Sequence, residues 1–179
     1  MPPTPATHHT ASDEAQAPRR RRTDVPDAVA QLTDDHRAML RLFKDYDRLV
    51  KHGAGADERA RLAARIGGEL ELHMQLEEEL LYPACRERMN ENELVDEAVV
   101  EHESARELIR QIDGMHPDEA LYDAKVKVLG EYIEHHAREE EDELFPKVRR
   151  RLDTEALGEQ MHERRAQLAL AERHAQLAG

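Results

Sequence analysis

The chain has 179 residues and a formal net charge of −13, and 36% of its residues are charged while only 3% are aromatic. General affinity for nucleic acids or anionic membranes requires an excess of Lys and Arg, so this charge argues against both partners. The dominant residues, Ala, Leu, Glu and Arg, form helices readily and strands poorly, which predicts an all-α fold.

Cysteine content and hydropathy indicate the cellular compartment. The single Cys85 excludes an intrachain disulfide framework and a thiolate metal cluster, and it fits a reducing compartment. No apolar run approaches the ~20 residues of a membrane span, and the N-terminus lacks the apolar region of a secretory signal. We therefore expect a cytoplasmic protein with no membrane partner.

Residues 1–24 are rich in Pro, Thr and Arg and poor in large apolar side chains. Such a segment cannot bury enough surface to order itself, so we expect a disordered tail. Its basic run, Arg19–Arg22, is offset by Asp13, Glu14 and Asp24. This balance favours a solubilising role over binding to an acidic partner or a nucleic acid.

Residues 25–153 predict a four-helix bundle. A short helical lead-in covers 25–32, and Thr33 is the expected N-cap of the helix that follows. Apolar spacing of 3.6 residues, interrupted by polar or Gly-rich connections, predicts four long helices at 34–51, 57–89, 94–113 and 119–151. Pro83 lacks an N–H and should kink or end the regular part of the second. The short connections make neighbouring helices antiparallel, which predicts an up-down-up-down architecture.

The C-terminal residues, 154–179, form a last amphipathic segment with Leu157, Met161 and Leu168 on one side. We expect an extra helix that packs outside the bundle or on a partner, in which case it would form a homodimer contact. A frayed tail is the alternative.

An internal repeat links the second and fourth helices. The stretch GGELELHMQLEEELLYP at 67–83 returns 63 positions later as GEYIEHHAREEEDELFP at 130–146. Each copy contains His-x-x-x-Glu, and at about 100° per residue these two side chains share one helix face. The neighbouring Leu and Ile residues place this face at the edge of the buried stripe. A charge run accounts for the following Glu78 and Glu79.

Each predicted hairpin therefore supplies one His and then His-x-x-x-Glu on its inner faces. Buried in a Leu, Ile and Ala interior, these groups would be costly unless something pairs with them. A pair of metal ions meets that need, since carboxylates bridge cations and imidazoles terminate them, and a nitrogen and oxygen set suits iron, manganese or zinc. Core histidines hydrogen-bonded to Glu without metal are the alternative. The candidate metal ligands are His36, His73, Glu77, His102, His136 and Glu140.

With DAVAQLTDDH before the first helix, HMQLEEELLYP, VVEHES and HHAREEEDELFP, the chain resembles the hemerythrin-like, or HHE cation-binding, domain family over about 27–165. The resemblance implies a four-helix bundle that holds a non-heme di-iron centre. It implies that Glu77 and Glu140 bridge the two irons. It also implies that His36 and His73 terminate the first iron and that His102 and His136 terminate the second.

The sequence departs from the oxygen-carrying members of that family at one ligand. Those members place a second histidine one turn after the one on the third helix, where this chain has Arg106, and Ala98 stands one turn before. The expected result is an open or water-filled iron position, or a substitute ligand, for which His135 and Tyr46 are the candidates. Arg106 could instead pair with a carboxylate near the site.

An open position beside a redox metal favours reaction with a small oxidant over stable oxygen carriage. The first hypothesis is a di-iron module that binds, senses or detoxifies O2, peroxide or NO in oxidative or nitrosative stress. The second is an iron-dependent catalase-like, peroxidase-like or NO-reducing enzyme, and the third is a metal-free helical interaction protein. A ferritin-like site is disfavoured, because the single Glu-x-x-His, from Glu159 to His162, has no counterpart on a second helix.

Overall fold

The computed structural model describes residues 24–178, apart from the side chains of 172 and 175–178, so the tail expected at 1–24 lies outside the described residues except for Asp24. Seven α-helices and two π-helical segments make up the fold, and residues 24–178 contain no strand. The α-helices are α1 (Ala28–Lys51), α2 (Ala56–Leu76), α3 (Tyr82–Met89), α4 (Asn92–Asp113), α5 (Tyr122–Glu139), α6 (Phe145–Arg151) and α7 (Thr154–Ala178).

Four antiparallel rods form the bundle. The two π segments join α2 to α3 and α5 to α6, which makes two continuous rods that pack against each other through α3 and α6. Helices α1 and α4 are the other two rods, and each packs against both α2 and α5. The predicted all-α four-helix bundle is therefore confirmed. None of the helices within 24–178 combines the length and apolarity that a membrane crossing needs.

The lead-in and the first helix are one continuous helix, so the predicted cap at Thr33 is wrong. Asp27 caps α1 instead, and its side chain accepts a hydrogen bond from the Ala30 N–H at 2.9 Å. Val29 and Leu32 are buried on the same stripe that carries the later inward residues of α1. Packing on this stripe extends the helix upstream of the position that the local capping signal indicated.

Two π segments, Glu77–Leu81 and Glu140–Leu144, interrupt the repeat helices at equivalent positions. In the first, the Tyr82 N–H donates to the Glu77 carbonyl, five residues back instead of four. The regular helix therefore ends well before Pro83, which lies in the first turn of α3, where no N–H is needed. The proline is thus a feature of the helix after the interruption.

The extra residue in the first π segment changes which side chains face inward. A regular α-helix would bury Leu80 and Leu81 after Glu77, but Leu80 is only partly buried. Leu81, Tyr82 and Cys85 are buried instead, which is a shift of one position, or about 100° around the axis. This rotation brings Tyr82 to the middle of the bundle.

Two apolar clusters fill the bundle, one toward each end. Helix α1 contributes Met39, Phe43 and Tyr46 to the first cluster and Val29 and Leu32 to the second. His36 lies between these two sets in the sequence of α1. The polar residues of the repeat therefore occupy a layer between two well-packed apolar regions.

Helix α7 lies along α1, α2 and the first π segment. Its residues Leu157 and Met161 are buried against the bundle. Gly158 allows the backbone of α7 to approach the start of α1 closely, since an added Cβ would lie 2.6 Å from the Pro26 carbonyl oxygen. The Gln31 amide also donates to the Gly158 carbonyl at 2.8 Å. This helix therefore covers the start of α1.

Candidate metal centre

The six predicted residues form one polar layer inside the bundle. Among the side chains that the structure describes, they are the only buried acidic, basic or imidazole groups, and each is at most 3% exposed. Helices α1, α2, α4 and α5 contribute one imidazole each, and each π segment contributes its first residue as a carboxylate. The six are His36, His73, Glu77, His102, His136 and Glu140.

The four imidazoles are arranged as two pairs. The Nε2 atoms of His36 and His73 lie 3.1 Å apart, and those of His102 and His136 lie 3.2 Å apart. Each pair joins the histidine of one helix to the repeat histidine of the same hairpin. These are the two pairs that the family resemblance implied.

Each buried carboxylate lies between the two imidazole pairs. Glu77 Oε2 is 3.2 Å from His73 Nε2 and 3.4 Å from His102 Nε2. Glu140 Oε2 is 3.4 Å from His36 Nε2 and 3.6 Å from His136 Nε2. Both carboxylates thus contact one imidazole of each pair, as bridging ligands would.

Every one of these imidazoles has a second carboxylate on its outer side. An imidazole that donates its Nδ1–H to a carboxylate keeps the Nε2 lone pair free for a metal, an arrangement common around metal-bound histidine. Three of the contacts are hydrogen bonds at 2.8 to 2.9 Å, and the fourth, His73 to Asp35, is 3.5 Å. The hydrogen-bonded pairs are His36 with Glu141, His102 with Glu78, and His136 with Glu101.

These outer carboxylates repeat with the rest of the site. Glu78 and Glu141 are equivalent in the two repeat copies, while Asp35 and Glu101 each directly precede the histidine of α1 or α4. Glu78, expected to be part of a charge run, therefore contacts a buried imidazole of the site. The sequence could have revealed this contact, because a glutamate directly follows Glu77 and Glu140, the buried glutamates of the two copies.

Two arginines hold outer carboxylates in place. Arg106 donates to both oxygens of Glu78 at 2.8 and 3.0 Å and to Glu71 at 3.1 Å, as the sequence suggested it could. Arg165 of α7 donates to Asp35 at 2.5 Å. Burial would raise the pKa of Glu78, but hydrogen bonds from Arg106 and His102 outweigh it and lower the pKa. Glu78 therefore remains a charged acceptor for the imidazole beside it.

Sequence reasoning missed Tyr82. Its hydroxyl donates to Glu140 Oε1 at 3.0 Å and lies 3.3 Å from His102 Nε2. Burial, and then the charge of Glu140, raises the pKa of this phenol well above its usual value. The equivalent residue of the other copy, Phe145, stacks on His36 with ring centroids 5.7 Å apart. The sequence signal for these two residues was the aromatic residue before each repeat proline. In a regular α-helix, however, that side chain would point away from the site.

The two substitute ligands considered from the sequence lie elsewhere. His135 is on the surface, with its side chain 59% exposed and Nε2 3.3 Å from Glu139. The Tyr46 hydroxyl donates to Asp123 at 2.7 Å, and Tyr46 belongs to the apolar cluster toward the C-terminal end of α1. Neither side chain is among the buried residues of the polar layer.

Burial shifts the proton affinities of the site strongly. It raises the pKa of Glu77 well above its usual value, and the nearby charge of Glu140 adds to the effect. It lowers the pKa of His73 to about 4 and that of His102 to about 3. For Glu140, the positive influence of His136 and His36 outweighs burial and lowers the pKa. The imidazoles His73 and His102 are therefore neutral near pH 7, the form that binds metal.

Several buried atoms in this layer lack hydrogen-bond partners. Among residues 24–178 they are both oxygens of Glu77, Oε2 of Glu140 and Nδ1 of His73. Unpaired buried polar atoms are rare and costly, and each calls for an explanation such as an ion. Five of the six residues also present donor atoms within 4.8 Å of one another. Imidazole nitrogens and carboxylate oxygens fit iron, manganese or zinc.

Comparison with known proteins agrees with this geometry. The family model described as the hemerythrin HHE cation-binding domain matches residues 27–148. The chain belongs to this hemerythrin HHE family. A buried His and Glu group that could hold metal ions is thus in keeping with the cation binding of hemerythrin HHE domains.

One solved structure and one protein sequence are similar to this chain. A hemerythrin HHE cation-binding domain-containing protein from Mycobacterium kansasii has the same fold, with a TM-score of 0.65 and 24% identity over 79% of this chain and 86% of that one. A protein named DNA nickase from Nostoc sp. is 31% identical over 91 residues, which are 51% of this chain. The chain spans only 26% of that relative's length, so its name describes a much larger protein.

Proposed function

We propose that this hemerythrin HHE domain is a non-heme di-iron protein that binds, senses or detoxifies small oxidants such as O2, peroxide or NO. The observation that carries the proposal is the donor layer itself. Two imidazole pairs face inward, and both buried carboxylates contact one imidazole of each pair. This arrangement offers two adjacent cation positions that share Glu77 and Glu140.

The chain's own residues have distinct roles in the proposed centre. One cation would be held by His36 and His73 and the other by His102 and His136. Outer carboxylates accept the Nδ1–H of three of these imidazoles, and Asp35 lies 3.5 Å from Nδ1 of the fourth, His73. Bound iron would supply redox chemistry and a coordination position for the oxidant. The helices supply a dry, pre-arranged site, because apolar clusters cover it on both sides.

The surroundings of His102 support binding of a small molecule. Arg106 is turned to Glu78 and Glu71, and Ala98 offers no ligand, so neither position one turn from His102 completes the coordination. Tyr82 places a hydroxyl between His102 and Glu140 and holds that carboxylate in position. A phenol that stays protonated could donate its one hydrogen bond to a bound ligand instead of to Glu140.

The wider setting is proposed on the same basis. We place the protein in the reducing cytoplasm, where the buried free thiol of Cys85 would persist, and in the response to oxidative or nitrosative stress. The bundle of 25–153 would hold the centre. Helix α7 would support it through the ion pair between Arg165 and Asp35, and its exposed Leu170 is where a homodimer contact would form.

Metal analysis tests the proposal directly. Purified protein, stripped with a chelator and loaded anaerobically with Fe2+, should retain about two irons per chain after desalting. His73→Ala should lower this content, whereas the control His116→Ala, in the exposed 114–121 connection, should not. Native protein that retains no iron would overturn the proposal and favour the metal-free interaction protein.

Peroxide separates binding from catalysis. Addition of peroxide to the iron-loaded protein, with oxygen release followed at an electrode, would reveal catalase-like turnover. Many turnovers per centre would establish the enzymatic form of the proposal. A single spectral change, with no oxygen release and no continued loss of peroxide when a reducing substrate is present, would establish binding or sensing. The same comparison with NO would identify an NO-reducing enzyme.

A further inference from the structure

A second group of metal-binding side chains lies at the surface beside the buried centre. Glu101 of α4 and His135 and Glu139 of α5 present donor atoms within 4.8 Å of one another. His135 Nε2 is 3.3 Å from Glu139 Oε1 and 3.7 Å from Glu101 Oε1. Asp96 and Glu97 line the same open depression, so its charge is strongly negative.

A small cavity lies between this external group and the buried layer, and its lining includes residues of both. Glu97, Glu101 and Glu139 line both the open depression and a cavity of about 20 Å³. His136 and Glu140 line the cavity on its inner side. Its volume suits about one water-sized species at a time. Glu140 is 3% exposed, and its Oε2 atom lacks a hydrogen-bond partner among the described residues.

Glu101 belongs to both groups. Its Oε1 faces His135, while its Oε2 accepts the Nδ1–H of His136 at 2.8 Å. A cation bound at the surface would therefore be in contact with a carboxylate that already touches the buried centre. Ala98, the small residue one turn before His102, also lines the cavity and leaves it open.

The external group occurs in only one half of the repeat. His135 and Glu139 correspond to Leu72 and Leu76 in the first copy, since the two copies are offset by 63 residues. Helix α1 likewise has Ala30 and Gln31 where α4 has Asp96 and Glu97. The symmetric fold therefore does not require these side chains, which points to a separate role on this face.

We propose that Glu101, His135 and Glu139 form an external site for a divalent transition-metal cation, which then passes through the cavity to the buried centre. The inference rests on the proposed di-iron function, since that centre is the destination. One imidazole nitrogen and two carboxylate oxygens suit Fe2+, Mn2+ or Zn2+. The acidic depression raises the local cation concentration and hence the rate of capture.

Titration of iron-loaded protein tests the external site apart from the buried one. Calorimetry with Zn2+ should show one additional ion per native chain and none for the double variant His135→Ala/Glu139→Gln. The control His116→Ala/Glu119→Gln changes an exposed His and Glu in the 114–121 connection before α5 and should match the native protein. The external site would be overturned if the native chain and the His135→Ala/Glu139→Gln variant bound Zn2+ equally, or if the native chain bound no additional Zn2+.

The rate of iron uptake tests the transfer step. Metal-free protein is mixed anaerobically with Fe2+ at low ionic strength, and a chelator stops uptake at set times before the retained iron is counted. The His135→Ala/Glu139→Gln variant should load about tenfold more slowly than the native chain but reach the same final content. Equal rates with full loading would overturn the uptake path alone. Failure of the native chain to load would overturn the di-iron function and the path together.

Discussion

Replacement of Glu77 with Met should have opposite effects on stability with and without metal. Glu77 is fully buried, and neither of its oxygens has a hydrogen-bond partner, although His73 Nε2 approaches at 3.2 Å without hydrogen-bond alignment. An unsatisfied buried polar group costs about 1–3 kcal/mol. Met is of similar length and apolar, so Glu77→Met should stabilise the metal-free protein by about 2 kcal/mol. The melting temperature should then rise by about 4–8 °C.

Bound iron should make the native chain more stable than the Glu77→Met variant. A ligand present at about 1000 times its Kd stabilises the folded state by about 4 kcal/mol. The native chain would gain this in full, because Glu77 contacts an imidazole of each pair. The variant lacks both carboxylate oxygens at that position and should gain much less. The loaded native protein should therefore melt above the loaded variant.

Thermal unfolding followed by far-UV circular dichroism measures both states, once with chelator and once with anaerobic Fe2+. Leu81→Met, a buried apolar change in the same π segment, serves as the control and should leave the iron response unchanged. If Glu77→Met destabilises the chelated protein, the protein itself satisfies this carboxylate and the argument for a missing cation fails.

Three further predictions concern other parts of the chain. Tyr82→Phe removes a hydrogen bond to a buried carboxylate, so the free energy of unfolding of the metal-free protein in urea should fall by about 1.5 kcal/mol; an unchanged value would show that the hydroxyl is not engaged. Burial raises the pKa of Cys85 to about 12, so a thiol reagent should label it in mildly alkaline buffer only after unfolding, and rapid labelling of the native chain would contradict its burial. The hydrogen bond from Arg164 lowers the pKa of Glu79 from 4.5 to about 2, so its contribution to stability is complete above pH 4.5 and is lost as the pH falls toward 2. The melting temperature of Arg164→Gln should therefore fall less steeply over that range, by a small margin because the pair is exposed, and parallel curves would count against the pairing.

The sequence revealed the four rods and the six buried polar residues because both depend on regular periodicity. His36 and His102 interrupt apolar stripes that are otherwise continuous, and the repeat places His73 and His136 at equivalent points. Chance rarely produces a titratable residue at such positions twice in the same order. Burial of all six in one layer is the structural consequence.

The remaining features depend on three-dimensional details that periodicity does not record. A π segment adds one residue to a turn without changing composition, so regular helix phasing does not place Tyr82 on the inner face, where the structure has it. The outer carboxylates belong to Glu-rich helices, and only the packing shows that Glu101 faces His136. The start of α1 was misjudged because Thr33 has the local features of a cap, while burial of Leu32 extends the helix past it.

Anomalous diffraction from iron-loaded crystals, measured at the iron absorption edge, would test the central claim most directly. The account predicts two strong peaks inside the bundle, one beside His36 and His73 and the other beside His102 and His136, with Glu77 and Glu140 contacting both. A single peak in the polar layer, or iron found only at surface carboxylates, would contradict it.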